Sequence, residues 1–316
     1  MPRLSFNRMV GAVIRAWCYI LFLLMGCAVA TADVMVVTLL GTGTPRPEIE
    51  RGSSAILVEA GTQKLLFDAG RGVAQRIYQL RLDYDTINKI FITHLHYDHI
   101  IGLPDLMLSG WVYQRTSPIR LWGPVGSKAH VQQIQEAYIA DISLRKQHTD
   151  LPAAGIRVDV GEIEEGMVYS EDGLTVKAIE VDHGVVKPAF GYRIVYKGRS
   201  LVFSGDTRYS EKIAKHAEGV DLLIHEIADA SDALLERNLR LRKVISYHTR
   251  PSELNRLLRK SNPRQTVLVH ALIFGKDRAD VLSEIKSGYE GEVMFGEDLT
   301  AFDIGDNIRI YRRNTF

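Results

Sequence analysis

Apolar and polar positions along this chain switch repeatedly between two periods. After Asp33 the run VMVVTLLGTGTP is almost continuously apolar and β-branched before it meets Gly and Pro, which marks a buried strand closed by a turn. SSAILVEAGTQKLLFDAG predicts two strands joined at Gly61, VAQRIYQL a short helix, and INKIFITH a strand. Helical spacing recurs near 103–114, 127–147, 209–217, 252–260 and 276–287. Strand patterns fall near 119–122, 156–160 and 265–271, with a strand-rich region over 167–206 and a strand-like C-terminal end. Strands interleaved with helices predict an α/β class, and two strand-rich halves, each with helices, fit a four-layer αββα sandwich. No repeat, low-complexity tract or long linker divides it.

The first 32 residues break this pattern. Arg3, Arg8 and Arg15 are their only charges, and an uncharged run, AWCYILFLLMGCAVATA, ends in small residues before Asp33. A basic start, a short apolar run and an A-x-A ending predict a signal peptide over 1–32, followed by one hydrolase-sized domain over 33–316. The expected location is periplasmic or secreted, with no membrane contact after cleavage. An uncleaved anchor, or lipidation at Leu24-Met25-Gly26-Cys27, is the alternative.

Composition narrows the chemistry. The 316 residues are 46% hydrophobic and 24% charged, enough for a large core, and the net charge is +1. Removing 1–32 takes three arginines and no acids, leaving 36 basic against 38 acidic residues, a balance of −2. That average supplies no overall field for nucleic acid. Both cysteines, Cys18 and Cys27, leave with the same segment. Any metal in the remaining chain is therefore held by His, Asp or Glu, and no nucleophile there is a thiolate.

The densest chemistry is HLHYDHIIG at 94–102. His94 and His96 are two apart at a strand end, so they point to one side. Asp98 and His99 follow where the chain turns toward a helix at Ile100. Nitrogen and oxygen donors without thiolate suit zinc and related ions. Further donors stand just past apolar strands: His183 in IEVDHGVV, Asp206 in SLVFSGDTR and His270 in QTVLVHA. His130, His148 and His216 sit on helical or loop patterns without acidic partners and are read as unrelated.

Together these residues resemble the metallo-β-lactamase superfamily, and within it the ribonuclease Z and arylsulfatase-like branch. The resemblance is carried by LLGTGTP (39–45), FDAGRG (67–72), FITHLHYDH (91–99), DHGVVKPAFGYR (182–193), VFSGDTR (202–208), LLIHE (222–226), YHT (247–249) and VLVHA (267–271). It implies two zinc ions per chain. His94, His96 and His183 would hold one, Asp98, His99 and His270 the other, and Asp206 would bridge them. A carboxylate can span two cations through its two oxygens. The resemblance also implies a general acid, His248, oriented by Glu226, with Asp98 a further catalytic group, and it admits a homodimer. Asp68 is expected to support a ligand histidine. Absence of a thiolate argues against β-lactam hydrolysis.

Two departures bear on the substrate. Ribonucleases of this branch usually carry an arm between GYR and SGD, whereas here only IVYKGRSLVF lies between, a hairpin turning at Lys197-Gly198. The predicted export and the −2 balance point the same way. The expected substrate is therefore a small anionic ester, a phosphodiester or a sulfate ester, with no stable nucleic-acid partner. The alternative enzyme is a ribonuclease Z-like 3′-tRNA processing endoribonuclease, and the non-enzymatic alternative is a zinc-binding scaffold. Met107, Trp111, Tyr113 and Trp122 are candidates for a pocket wall or for core, and Arg208 for an anion contact or a salt bridge.

Overall fold

A computed structural model describes residues 34–315. The predicted signal peptide lies outside them. Fifteen strands build two mixed sheets. The first contains β1 (Met35–Gly41), β2 (Ala55–Ala60), β3 (Gln63–Phe67), β4 (Lys89–Phe91), β5 (Ile119–Gly123), β6 (Val158–Glu162), β14 (Thr300–Ile304) and β15 (Ile308–Arg312). Its order is β15-β14-β1-β2-β3-β4-β5-β6. The second contains β7 (Gly166–Glu171), β8 (Leu174–His183), β9 (Val186–Tyr196), β10 (Arg199–Phe203), β11 (Leu222–Ala230), β12 (Gln265–Phe274) and β13 (Val293–Phe295). Its order is β13-β12-β11-β10-β9-β8-β7.

The strands pack face to face over an apolar layer that includes Phe67, Phe91, Tyr192 and Phe203. Phe91 stacks on Phe67 at 5.0 Å and on Trp122 at 4.7 Å. Buried aromatic stacking of this kind makes the layer costly to disturb, about 3–5 kcal/mol for truncating Phe91 to Ala. Outside the first sheet lie α1 (Val73–Gln79), α2 (Tyr97–Ile100), α3 (Leu103–Val112) and α4 (Ser127–Ala137), whose apolar sides meet Leu57, Leu66 and Ile90. Then comes α5 (Ile139–His148). Outside the second lie α6 (Glu211–His216), α9 (Pro251–Ser261) and α10 (Arg278–Lys286), packed on Leu223, Val202 and Leu268. The result is the αββα sandwich that the sequence predicts.

The differences from the sequence pattern are local. One expected helix over 127–147 is two, parted at Tyr138, which closes α4 and opens α5. Two helices not foreseen, α7 (Asp232–Arg237) and α8 (Leu239–Ile245), precede His248. The expected hairpin is present, with both Lys197 and Gly198 at positive φ, as a tight two-residue turn requires. Met107 and Trp111 are buried in core and Trp122 packs between the sheets, while Tyr113 is exposed, so these side chains serve packing and surface rather than a pocket at the metal-ligand motif.

Candidate metal centre

The parallel strands β3, β4 and β5 end at one rim of the first sheet, and β10, β11 and β12 end at the matching rim of the second. Buried parallel strands must be apolar along their length, so polar side chains collect where they stop. All nine positions of β11 are buried. At these rims the candidate side chains meet.

His94 stands three residues beyond β4, and His96 is the residue that opens the single-turn α2. That turn begins at Tyr97, earlier than the sequence suggests, so Asp98 and His99 lie within it. Close backbone contact fixes the turn. The Ala69 N–H donates to the His99 carbonyl at 2.8 Å, and the Gly102 N–H to the Ala69 carbonyl at 2.8 Å. A Cβ on Gly102 would stand 2.2 Å from the Gly70 carbonyl oxygen, so only glycine permits this approach. Tyr97 points away and donates its hydroxyl to the Pro45 carbonyl.

The second sheet delivers its donors singly. His183 ends β8, and Asp206 follows β10 through Gly205, which has φ 58° and lies 2.4 Å, by its missing Cβ, from the Phe190 carbonyl oxygen. His270 is a bulge. Glu226 pairs with Val269 and Ile227 with Ala271, so His270 has no ladder partner and adopts φ 46°. Its N–H donates to the Thr42 carbonyl at 2.9 Å instead. Thr42 is held by the buried Asp298, whose carboxylate accepts from the Thr42 N–H and hydroxyl, the Gly52 N–H and the Arg76 guanidinium.

The donor atoms form overlapping groups: His94, His96, His183 and Asp206; Asp98, His99 and His270; and Asp206, His248 and His270, each within 4.8 Å. Asp206 Oδ2 lies 3.3 Å from His99 Nε2, 3.5 Å from His270 Nε2, 3.8 Å from His94 Nε2 and 3.9 Å from His183 Nε2. Asp98 Oδ2 lies 3.1 Å from His270 Nε2. His130, His148 and His216 stay outside these groups.

Hydrogen bonds at the outer ring nitrogens show what the inner ones offer. His99 Nδ1 donates to Asp68 at 2.7 Å, and His183 Nδ1 donates to the Tyr247 carbonyl at 3.1 Å. His183, held neutral by burial, then presents an Nε2 lone pair inward, whereas at His99 burial is outweighed by the Asp206 and Asp68 carboxylates, which push its pKa well above the ordinary range and call for a positive charge at this point. His99 Nε2 is buried and has no hydrogen-bond partner. Burial holds His94, His96 and His183 below the ordinary histidine range, in the neutral form that donates to a metal. Lone pairs and carboxylates converging without donors fit cations. Asp68 also accepts from the Thr93 N–H and hydroxyl and the Ser54 hydroxyl, which locks the His99 tautomer.

Beside this cluster, His248 Nδ1 lies 3.1 Å from Glu226, and the other Glu226 oxygen accepts the Thr249 N–H at 2.7 Å. Burial lowers the His248 pKa, but the Glu226 carboxylate outweighs it and lifts the group to about 8. Glu226 is itself buried in β11. Its neighbour His225, fully buried, donates Nδ1–H to the Glu226 carbonyl.

Similarity to known proteins agrees with this geometry. The model of the beta-lactamase superfamily domain matches residues 63–271. Ribonuclease Z of Mycobacterium sp. (strain KMS) is 32% identical over 85% of this chain and 95% of its own. The chain belongs to the metallo-β-lactamase superfamily, among relatives of ribonuclease Z. Human tRNase Z, short form, is 26% identical, with a TM-score of 0.62 over 84% of this chain and 98% of that one. YhfI of Bacillus subtilis shares the fold at a TM-score of 0.67, 18% identity, and coverage of 86% and 100%. The protein is thus a metal-dependent hydrolase of ester bonds.

The same relatives correct the expected partner. A small anionic ester with no nucleic-acid partner does not fit a match over 85% of this chain to a protein named ribonuclease Z. That expectation rested on the missing arm, the predicted export and the chain-average charge, and an average is blind to where charges cluster on the surface. Arg208 is an ion-pair residue: it pairs with Asp182 at 3.2 Å, donates to the Ser246 carbonyl and lies over the Tyr247 ring. Sequence reasoning found the ligand candidates and the His248–Glu226 pair. It assigned no role to Thr93, Thr42 and His225, although they lie within the quoted motifs, and it missed Asp298, whose carboxylate partners are distant in sequence.

Proposed function

We propose that this protein is a ribonuclease Z-like endoribonuclease that hydrolyses a phosphodiester bond at the 3′ side of precursor tRNA. The observation that carries the reading is the near full-length similarity to ribonuclease Z, with the hydrolytic side chains converged at one rim. His94, His96 and His183 would hold one zinc ion and Asp98, His99 and His270 a second, with Asp206 within reach of both groups. The ions supply Lewis acidity and a nucleophilic water near neutral pH.

The chain's own residues do the rest. Asp68 and the Tyr247 carbonyl fix the ligand tautomers. Asp98, whose Oδ2 faces His270 and His99, would both help hold the second ion and accept a proton from the attacking water. As water attacks phosphorus, the bond to the leaving oxygen breaks and that oxygen takes a proton from His248. Glu226 keeps that imidazole charged and oriented, which suits a general acid. One His248 nitrogen lies within 4.8 Å of donor atoms on Asp206 and His270, close enough to serve the same substrate.

The test is cleavage of a precursor tRNA transcript by the zinc-loaded chain, with product ends mapped and Asp206→Ala as the blank. A single endonucleolytic cut beyond the acceptor stem that disappears in the blank is expected. Intact transcript, with two metals bound and a chromogenic phosphodiester turned over, would sink the ribonuclease reading.

A further inference from the structure

The segment between β11 and His248 is chemically unlike the rest of the surface. From Asp232 to Arg250 it carries Arg237, Arg240, Arg242, Lys243 and Arg250 against Asp232 and Glu236, a local balance of +3 in a chain that from Asp33 onward carries −2. Helices α7 and α8 turn most of their apolar side inward, with Leu234 and Leu239 left exposed beside the cations. Leu235, Leu241, Val244 and Ile245 pack on Ala228, Ala230, Leu272 and Phe274, at the ends of β11 and β12. Asn238 joins the helices and caps α8 by accepting the Leu241 N–H.

The cations divide into two kinds. Arg242 donates to the Leu235 and Glu236 carbonyls, and Arg250 pairs with the buried Asp229, so both are structural. Arg237, Arg240 and Lys243 are exposed and make no ion pair or side-chain hydrogen bond with any described residue. Arg240 and Lys243, three apart, lie on one side of α8, and Arg237 ends the preceding helix. Three exposed, unpaired cations on one short segment are free to contact an external anion.

Their position ties them to the centre. Ser246, just past α8, accepts from Arg208, and the next residue, Tyr247, accepts from the ligand candidate His183 and packs on Gly184, leaving no room there for a Cβ. His248 follows directly. The α7–α8 segment is thus anchored where the hydrolytic side chains stand.

We propose that Arg237, Arg240 and Lys243 form the grip on the RNA phosphate backbone that holds the substrate beside the metal centre. This rests on the ribonuclease reading and adds to it the surface that does the binding. The β9–β10 connection is only a tight turn. Phosphate contacts by lysine and arginine position a nucleic acid without reading sequence, and their strength falls with salt through counterion release.

The experiment measures kcat/KM for precursor tRNA cleavage across a KCl series in the full zinc-loaded chain. Comparison is with Arg237→Gln/Arg240→Gln/Lys243→Gln and with a control pair, Lys286→Gln/Arg312→Gln. Those control cations are exposed at the far end of α10 and on the edge strand β15. The triple variant is expected to lower the slope of log(kcat/KM) against log[KCl] by about 2, at ~0.7–0.9 per phosphate contact. It should also raise KM on the order of 10-fold or more, while metal content and melting temperature stay as in wild type. The control pair should leave the slope alone. If the triple variant proves poorly folded, Arg240→Glu alone carries the test and should raise KM further than Arg240→Gln. Wild-type cleavage with an unchanged slope in the triple variant overturns this proposal alone, as does an equal fall in the control pair. A wild-type chain that turns over a chromogenic phosphodiester but no RNA overturns the ribonuclease reading and this proposal together.

Discussion

The two sheets furnish the centre in different ways. The first delivers four donors within six residues, His94, His96, Asp98 and His99, from the end of β4 into one turn stitched to the 68–72 loop. The second delivers His183, Asp206 and His270 one at a time, from the end of β8, from the loop after β10 and from a bulge inside β12. A compact motif holds its geometry through its own short-range bonds. Single donors depend on register, on Gly205 at positive φ and on a bulge at His270. The first set is therefore robust and easily read, and the second is sensitive to residues far away in sequence.

Asp206 is where the sets meet, and losing it should have the largest effect. Asp206→Ala removes the one carboxylate that faces four imidazole nitrogens. Hydrolysis should fall to background and bound zinc should drop by elemental analysis of the dialysed protein. Full zinc occupancy in that variant would mean the two sets bind independently. Next comes the His248–Glu226 pair. His248→Ala should cost about 10²–10⁴ in kcat, the usual worth of a general acid, with metal content unchanged. Glu226→Gln should fall between that and wild type. A loss of zinc in His248→Ala would make it a ligand and not an acid.

The same contrast explains what was legible. HLHYDH declares itself because its donors are adjacent, and adjacency survives in one dimension. The apolar strands and the sandwich follow from hydrophobic period alone. His270 was also legible, as a histidine after an apolar strand, but its bulge was not, since VLVHALIF carries no glycine to mark positive φ. Asp298 is invisible because its partners, Thr42, Gly52 and Arg76, lie more than two hundred positions away. The α7–α8 helices were missed because their apolar stripe is short. The partner was misjudged because a missing arm, an expected export and a net charge summed over the whole chain were read as lack of an RNA surface, whereas binding samples charge locally.

Intermediate effects should separate the two sets. Asp68→Asn leaves the compact turn in place but weakens the acceptor that fixes His99, and should lower zinc affinity about 10–100-fold. Asp298→Asn acts on the other set, through Thr42 to the His270 N–H. It should lower affinity for one zinc equivalent by about 10-fold. Titration with a chelating indicator distinguishes one weakened equivalent from two. Equal weakening of both equivalents by Asp298→Asn would show that the sets are not separable.

The smallest effect should come from a carboxylate outside both. Asp85 accepts the N–H and hydroxyl of Thr116 and of Ser117, which ties the short turn after β3 and α1 to the loop entering β5. Burial is the largest single influence and raises its pKa, but the four hydrogen bonds together outweigh it and bring it to about 2. A carboxyl whose folded pKa lies below its unfolded value contributes stability that is complete above the unfolded pKa, near 4, and is lost as pH falls through about 2. Because the site is largely solvated, Asp85→Asn should cost only about 1 kcal/mol at neutral pH. The melting-temperature gap between variant and wild type should be constant from pH 7 to 5 and should narrow below pH 4. Zinc content and kcat should not change, since neither donor set touches this loop. A gap that persisted undiminished toward pH 3 would mean that Asp85 works through shape and not charge. A change in kcat would mean that the first set is less self-contained than its adjacency implies.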